Sequence, residues 1–189
     1  ELFVDDPVTT PKTRTSAIVT PYDRSTYHYP PTPEGESAYL AQYRESFFGV
    51  TCKKSGWDCM RHYEILSQGC MPWFVDIFEC PESCLVDSPK DLLRQVHSLR
   101  GCDFDAATGQ VAVDPDCFDA DRYWRLLGQL WDYSRKQLTT EQCARRMLKR
   151  AGATDCRNVL VLSVSHDYID YLGGMVLHGL RSIAGLSVT

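Results

Sequence analysis

The feature that most constrains this chain is a strand–helix–strand signature between residues 46 and 75. Ser46-Phe-Phe-Gly-Val-Thr51 is an apolar run of strand length. Lys53-Lys-Ser-Gly56 is a polar turn. Asp58 to Gln68 reads as a helix, with Asp58 as its N-cap and Gly69 as its stop. Met71-Pro-Trp-Phe-Val75 is the next strand, and Pro72 near its start places it at a sheet edge or a strand entrance. Two strands joined through a helix predict a parallel pair with a right-handed crossover.

The flanks extend the pattern. Residues 1–35 are rich in Pro, Thr and Asp and show neither helical nor strand period. Prolines hold such a segment extended and remove donors, so the expectation is an arm or linker anchored by Tyr22, Tyr27 and Tyr29. Glu36 to Glu45 predicts a short helix with Tyr39, Leu40 and Tyr43 on one side. Residues 76–87 read as a loop. Ser88-Pro-Lys-Asp91 then opens a helix, with Ser88 as cap, that carries Leu92, Val96 and Leu99 and stops at Gly101.

Residues 102–117 carry Asp103, Asp105, Asp114 and Asp116 but fail the spacing of a calcium loop, and read as a solvated surface loop. Asp119 to Lys136 predicts a long amphipathic helix with Tyr123, Leu127, Leu130 and Trp131 inward. Thr139 with Gln142 opens another, ending in Arg145-Arg-Met-Leu-Lys-Arg150, a cationic end that suits the helix dipole. After Gly152 the pattern restarts, with a strand over 158–164, a helix over 167–184 through Tyr168 and Tyr171, and the start of another strand at 186–189.

Composition bounds the function. A chain of 189 residues holds one domain with a full core, or one with appendages. The net charge of −5 argues against coating nucleic acid or an anionic membrane, while leaving room for a local basic pocket for one phosphate-bearing ligand. The longest strongly apolar piece, residues 159–164, has strand rather than membrane-span length, and no signal peptide pattern is present. Glu1 in place of Met reads as processing, trimming or excision from a longer protein. None of the nine cysteines forms a Cys-x-x-Cys pair, which disfavours zinc. Mostly free thiols are expected, with Cys70 and Cys143 in apolar patterns and Cys102–Cys117 a candidate disulfide in an oxidising compartment.

The chemistry concentrates in Cys52–Phe74. A helix N-terminus at the carboxyl end of a parallel strand presents unpaired N–H groups and the positive dipole end, a place suited to phosphate. Lys53, Lys54, Arg61 and His62 are the densest anion-binding set of the chain. Gly56 admits close backbone approach, Asp58 caps the helix, and Trp57 stacks on a ring or seals the pocket. Arg61 suits a bidentate clamp on phosphate oxygens, and Glu64, one turn further, accepts from sugar hydroxyls. The same residues admit a structural reading: Arg61 and Glu64 as a helix-surface pair, Lys53 and Lys54 as solvated turn residues, His62 as a half-buried hydrogen-bonded side chain, and Trp57 and Trp73 as core.

The run Lys-Lys-Ser-Gly-Trp-Asp-Cys-Met-Arg-His-Tyr-Glu-Ile-Leu-Ser-Gln-Gly-Cys-Met-Pro-Trp-Phe resembles the C-terminal nucleotide-sugar-binding half of exostosin-like glycosyltransferases, closest to algal and large-virus versions. Arg61, Glu64, Gly69, Cys70 and Pro72 match that pattern in order, and the similarity spans residues 36–150. The resemblance implies a Rossmann-like parallel sheet flanked by helices, one half of a GT-B α/β architecture, behind the Pro-rich arm. It implies Arg61 on the donor diphosphate, Glu64 on the donor ribose or sugar, and no bound metal or cofactor beyond the nucleotide-sugar substrate.

Domain expectations follow: an arm over 1–35, a donor-binding domain over 36–151, and a β–α fragment over 152–189. The run Asp-Tyr-Ile-Asp-Tyr-Leu-Gly-Gly-Met-Val-Leu-His-Gly-Leu-Arg in that fragment resembles the opening of the other half. Two functions stay open. One is a glycosyltransferase acting on a glycan or protein acceptor, which would place it in the secretory pathway. The other is a non-catalytic accessory subunit of a larger assembly, in an organelle or another assembly-bound compartment, with protein partners reached through the arm. Neither reading involves nucleic acid or a transmembrane segment.

Overall fold

Three parallel strands in the order β1-β2-β3 build the sheet that carries the candidate site. They are β1 (Arg14–Ser16), β2 (Ser46–Thr51) and β3 (Met71–Phe74). The computed structural model describes residues 6–7, 11–22, 28–162 and 171–189. Tyr27, Tyr168, residues 163–164 of the expected strand and residues 167–170 of the expected helix lie outside the described residues.

Helix α1 (Pro33–Arg44) joins β1 to β2, and α2 (Met60–Ser67) joins β2 to β3. Phe48 lies opposite Met71 and Thr51 opposite Phe74, so the parallel pairing read from the sequence is the one formed. Pro72 falls on an edge strand, where a missing donor costs least. Gly69, at φ 65°, takes the left-handed conformation that ends α2 and lets the Cys70 N–H reach back to the Ile65 carbonyl.

Burial divides into two clusters. Ala17, Val19, Tyr39, Tyr43, Ile65 and Cys70 gather beside α1 and α2. Phe48, Val50, Met71 and Trp73 pack with Leu93, Val96 and Leu99 and with Tyr123, Leu126, Leu127 and Leu130. The last four come from α4 (Ala120–Gln137), whose inward positions were readable from helical spacing. The Tyr123 hydroxyl donates to the Phe47 carbonyl at 2.6 Å, which satisfies the polar tip of a fully buried ring.

Part of the Pro-rich arm is a strand, not a linker. Arg14 pairs with Ser46 and Ser16 with Phe48, while Ala17 and Val19 are fully buried. Ile18 between them is exposed, so the period-two signal exists but spans too few residues to stand out among the prolines. Lys12 Nζ donates to the carbonyls of Gly69 (2.6 Å) and Arg44 (3.0 Å), closing the ends of both helices. Tyr29 stacks on Tyr39 at 4.7 Å and Tyr22 lies 6.1 Å from Phe104, so both described anchor tyrosines make ring contacts.

The acidic stretch expected as a loop is an antiparallel hairpin, β4 (Cys102–Asp105) with β5 (Gln110–Val113). Val111 is buried opposite Phe104, and the Asp105 carboxylate accepts from Ala107 N and Thr108 Oγ1 to shape the turn. The aspartates dominate composition, but the few apolar residues set the pairing.

Two expected caps also shift. α2 begins after Cys59 with no side-chain cap, and Asp58 instead accepts from the Tyr63 hydroxyl at 3.2 Å. α3 (Lys90–Val96) begins after Pro89 rather than at a Ser88 cap. α1 starts earlier than expected because Thr32 accepts from Gly35 N, with Pro33 in its first turn.

The chain separates into two compact units, Glu1–Asp132 and Tyr133–Thr189, with the division inside α4 rather than near residue 151. The second unit holds α5 (Thr140–Arg150), α6 (Tyr171–Ser182) and two short parallel strands, β6 (Asn158–Val159) and β7 (Ser187–Val188). α5 belongs with α6: Gly179 lies against the Thr140 carbonyl, and Thr140 Oγ1 meets His178 Nδ1 at 2.8 Å. Thr139 caps α5 through Gln142 N, as its sequence predicts. Among the described residues no helix is long and apolar enough to cross a membrane.

Candidate functional site

The site is built where β2 ends and α2 begins. Thr51 closes the strand, fully buried, and the next residues turn outward at the carboxyl edge of the sheet. Asp76, two residues past β3, accepts the Lys53 backbone N–H through both carboxylate oxygens, at 3.0 and 3.1 Å. That contact ties the turn to the neighbouring strand end. Sequence reasoning passed over Asp76, although a residue just past a parallel strand's carboxyl end stands where open α/β sheets bind ligands.

Within the turn the side chains are exposed from Lys53 to Gly56. Lys53 Nζ lies 5.8 Å from the Trp57 ring centroid, a cation–π arrangement. Trp57 in turn tilts against Phe74 at 6.3 Å. Lys54 N donates to the Gly56 carbonyl at 3.3 Å. A Cβ on Gly56 would meet only the Asp58 carbonyl oxygen, at 3.9 Å, so the turn leaves open space there.

α2 carries no acidic residue in its first turn, whereas α1, α3, α4 and α5 each carry at least one. Its N-cap, Cys59, makes no side-chain cap bond. The first turn of the helix therefore holds no acid of its own against the positive dipole end, and the nearest carboxylates are those of Asp58, just before the N-cap, and Asp76, on the turn.

His62 turns inward. Its Nε2 donates to the Trp57 carbonyl at 2.9 Å, because a carbonyl can only accept. Nδ1 then accepts from the Thr51 hydroxyl, also at 2.9 Å. The ring stacks on Phe74 at 4.6 Å. His62 thus holds the turn to the strand, matching its structural reading rather than an outward anion contact.

Glu64 also faces its own fold. It accepts from the Tyr39 hydroxyl at 2.9 Å, and Tyr39 and Tyr43 share a hydrogen bond of 3.1 Å. Burial lifts the Glu64 carboxyl above the usual carboxylate range, against the lowering pull of the Tyr39 hydroxyl and the Arg61 charge, with Glu36 adding to the rise. Burial likewise raises the Tyr43 hydroxyl, opposed by Tyr39 and Arg61. Arg61 is thus electrostatically coupled to both Tyr43 and Glu64.

Cys59 stands at the same corner. Its Sγ is 3.5 Å from His62 Nε2 and 3.8 Å from Nδ1. Burial acts to raise this thiol, but the hydrogen bond and charge of His62, with Arg61, outweigh it and hold Cys59 below the ordinary thiol range. Burial raises Cys52, with Asp76 adding to the rise. All nine cysteines are free thiols, Cys102 and Cys117 included. Burial pushes Cys70 up to about 12 and Cys102 up to about 11.

The structure therefore brings all eight residues singled out by sequence, Lys53, Lys54, Gly56, Trp57, Asp58, Arg61, His62 and Glu64, to one corner of the sheet. It divides them into an exposed turn and an inward-facing helix side. Among the described residues no group of three or more His, Cys, Asp or Glu side chains is placed to hold a metal ion. No family model, no curated protein and no solved structure matches this chain.

Proposed function

We propose that residues 46–76 form the donor-side half of a nucleotide-sugar site, in the manner of an exostosin-like, GT-B glycosyltransferase. The observation that carries this reading is the N-terminus of α2, at the carboxyl end of the central strand, without an acid in its first turn and flanked by Lys53, Lys54 and Arg61. An anionic diphosphate there faces a first helical turn free of acids, and the N–H groups and cations offset the charge that develops as the diphosphate leaves. The three-stranded parallel sheet with sequential crossovers supports a Rossmann-like half. Glu64, held by Tyr39, contributes to the sugar or ribose side only through carboxylate capacity that Tyr39 does not use.

The test is calorimetric titration of the full chain with UDP, GDP and their sugars. Saturable binding that weakens about tenfold or more in Arg61→Ala is expected, since a lost charge-assisted contact is worth about 1.5–3 kcal/mol. No binding to any nucleotide or nucleotide sugar sinks the donor-site reading.

A second reading, a non-catalytic accessory subunit, draws on a specific observation. His62 and Glu64 are both engaged in internal hydrogen bonds, and Lys53 lies over Trp57. Under that reading the motif is retained because it stabilises the fold, and the chain shows no nucleotide binding while forming a stable complex with another protein.

A further inference from the structure

Charge is unevenly spread along this chain. Residues 133–189 hold eight Lys and Arg against four Asp and Glu, a net +4 within a chain of net −5. Part of that charge stands beside a cavity. The cavity is half open, measures about 380 Å³ and lies wholly inside the second unit. Its walls come from α5, the segment that follows α5, and the turn from α6 into β7. Arg145, Leu148 and Lys149 share one face of α5, being three and four residues apart. Leu148, Ile183 and Leu186 are half-buried and apolar, while Arg145, Lys149 and Thr154 are exposed. Gly185, at φ 81°, carries the chain out of α6, and a Cβ there would meet nothing within 4 Å, so that side of the cavity is open.

We propose that this cavity binds a medium-chain aliphatic carboxylate, its chain against Leu148, Ile183 and Leu186 and its carboxylate at Lys149. Charge complementarity carries the assignment. No Asp or Glu is among the described residues that line the cavity. Arg145 is engaged by Glu141 at 2.7 and 2.8 Å. Among the described residues the Lys149 ammonium makes no ion pair or hydrogen bond. One uncommitted cation suits one negative charge rather than a polyanion, and the Thr154 hydroxyl supplies a further donor. Carbonyls at the end of α5 would oppose an anion, but they are already bonded. Ala153 N donates to the Leu148 carbonyl at 2.8 Å and Gly152 N to the Lys149 carbonyl at 3.1 Å. On the facing wall Leu186 N donates to the Ile183 carbonyl at 3.2 Å.

The lining also selects the body of the ligand. No aromatic ring is among the described residues that line the cavity, so a flat base or aryl group gains no stacking there. Methylene groups gain by leaving water against the two leucines and the isoleucine. The volume falls within the range of about 300–1,000 Å³ found for small-ligand sites. The four-carbon stem of Lys149 lets its ammonium meet a head group at the rim while the chain stays inside. The site shares no residue with the donor-side turn and stands whether or not that turn binds a nucleotide sugar.

The experiment is titration of the isotope-labelled full chain with octanoate, read by NMR at each backbone amide. The amides of Lys149, Thr154, Gly185 and Leu186 are expected to shift together and to saturate. Octanoate is expected to bind about tenfold more tightly than hexanoate, because two more methylenes leave water. Octylammonium is expected to bind at least about fivefold more weakly than octanoate. Lys149→Met keeps an apolar stem and removes the charge, and is expected to weaken octanoate about threefold or more while leaving neutral octanol within about twofold. No saturable shift up to about 10 mM octanoate overturns the site. Octylammonium binding as tightly as octanoate, or a Lys149→Met variant that holds octanoate as well as the wild type, overturns the anionic class. Shifts centred on the exposed Leu160, Leu162 and Leu172 instead mark a non-specific apolar surface and overturn the assignment to this cavity. Should Lys149→Met fail to fold, the wild-type comparison of octanoate with octylammonium decides alone.

Discussion

The two units of this chain contrast in how they bury what they make. In Glu1–Asp132, the middle strand of a three-stranded sheet is almost wholly inaccessible, and the sheet's side chains divide between two buried clusters. In Tyr133–Thr189, β6 and β7 are two residues each, and Leu160, Leu162 and Leu172 stand 67%, 83% and 72% exposed. Both units share local devices: a threonine-capped helix, a parallel strand pair and a left-handed glycine after a helix. The difference is cooperative. Burial on both faces turns a short strand into a fixed one, whereas local propensity alone leaves apolar residues in water.

The contrast breaks most visibly through its largest effect. Phe48→Ala removes a fully buried ring that meets Trp73 and Tyr123 edge-on, and is expected to cost about 3–5 kcal/mol. Leu162→Ala is expected to stay within about 0.5 kcal/mol. Urea unfolding measures both. Trp57, Trp73, Trp124 and Trp131 all lie in the first unit, so tryptophan fluorescence reads that unit and circular dichroism reads the helices of both. A cost above about 1 kcal/mol for Leu162→Ala would show that this surface is covered in solution.

Close approaches come next. A Cβ on Gly49 would lie 2.9 Å from two Ile65 carbons, and one on Gly179 would strike the Thr140 carbonyl. Gly49→Ala and Gly179→Ala are each expected to lose about 1–3 kcal/mol, one in each unit. If only Gly49→Ala destabilises, α5 and α6 are free to separate and the second unit is looser than its helix contact suggests. A smaller effect of opposite sign is expected at Gly128 in α4 and Gly174 in α6, where a Cβ would meet nothing within 4 Å. Alanine there gains about 0.5–1 kcal/mol from helix propensity.

The smallest effect is a slope. The Glu64 carboxyl is raised in the folded chain above its ordinary value of 4.5, mainly by burial. The folded state therefore binds its proton more tightly than the unfolded state does. The associated stability is fully present below the ordinary value and is lost as pH rises through the raised one. Glu64→Gln is expected to flatten that decline while keeping an acceptor for Tyr39, read as urea stability across about pH 4 to 8. Glu141→Gln in the second unit, which breaks an exposed pair with Arg145, is expected to cost only about 0.3–0.5 kcal/mol.

Much of the site was legible because its signals are local. Lys53, Gly56, Trp57 and Arg61 share one turn and the helix it opens, so their neighbourhood follows from chain connectivity. The orientation of His62 and Glu64 was not legible, because their partners come from elsewhere: Thr51 on β2 and Tyr39 on α1. The hairpin of β4 and β5 was missed because four aspartates outweigh Phe104 and Val111 in composition but not in pairing.

By itself, the sequence determined the parallel β2–α2–β3 unit, the inward stripe of α4 and the cap of α5. Those depend on period, turn residues and caps, which are properties of neighbours along the chain. Only the tertiary structure decided that Ser16 and its flanks add a third strand, that Lys12 closes two helices, and that half of the candidate site turns inward. Each of those is settled by burial: a short strand is kept because Ala17 and Val19 leave water against α1 and α2, and a polar side chain taken inside must find its partner there.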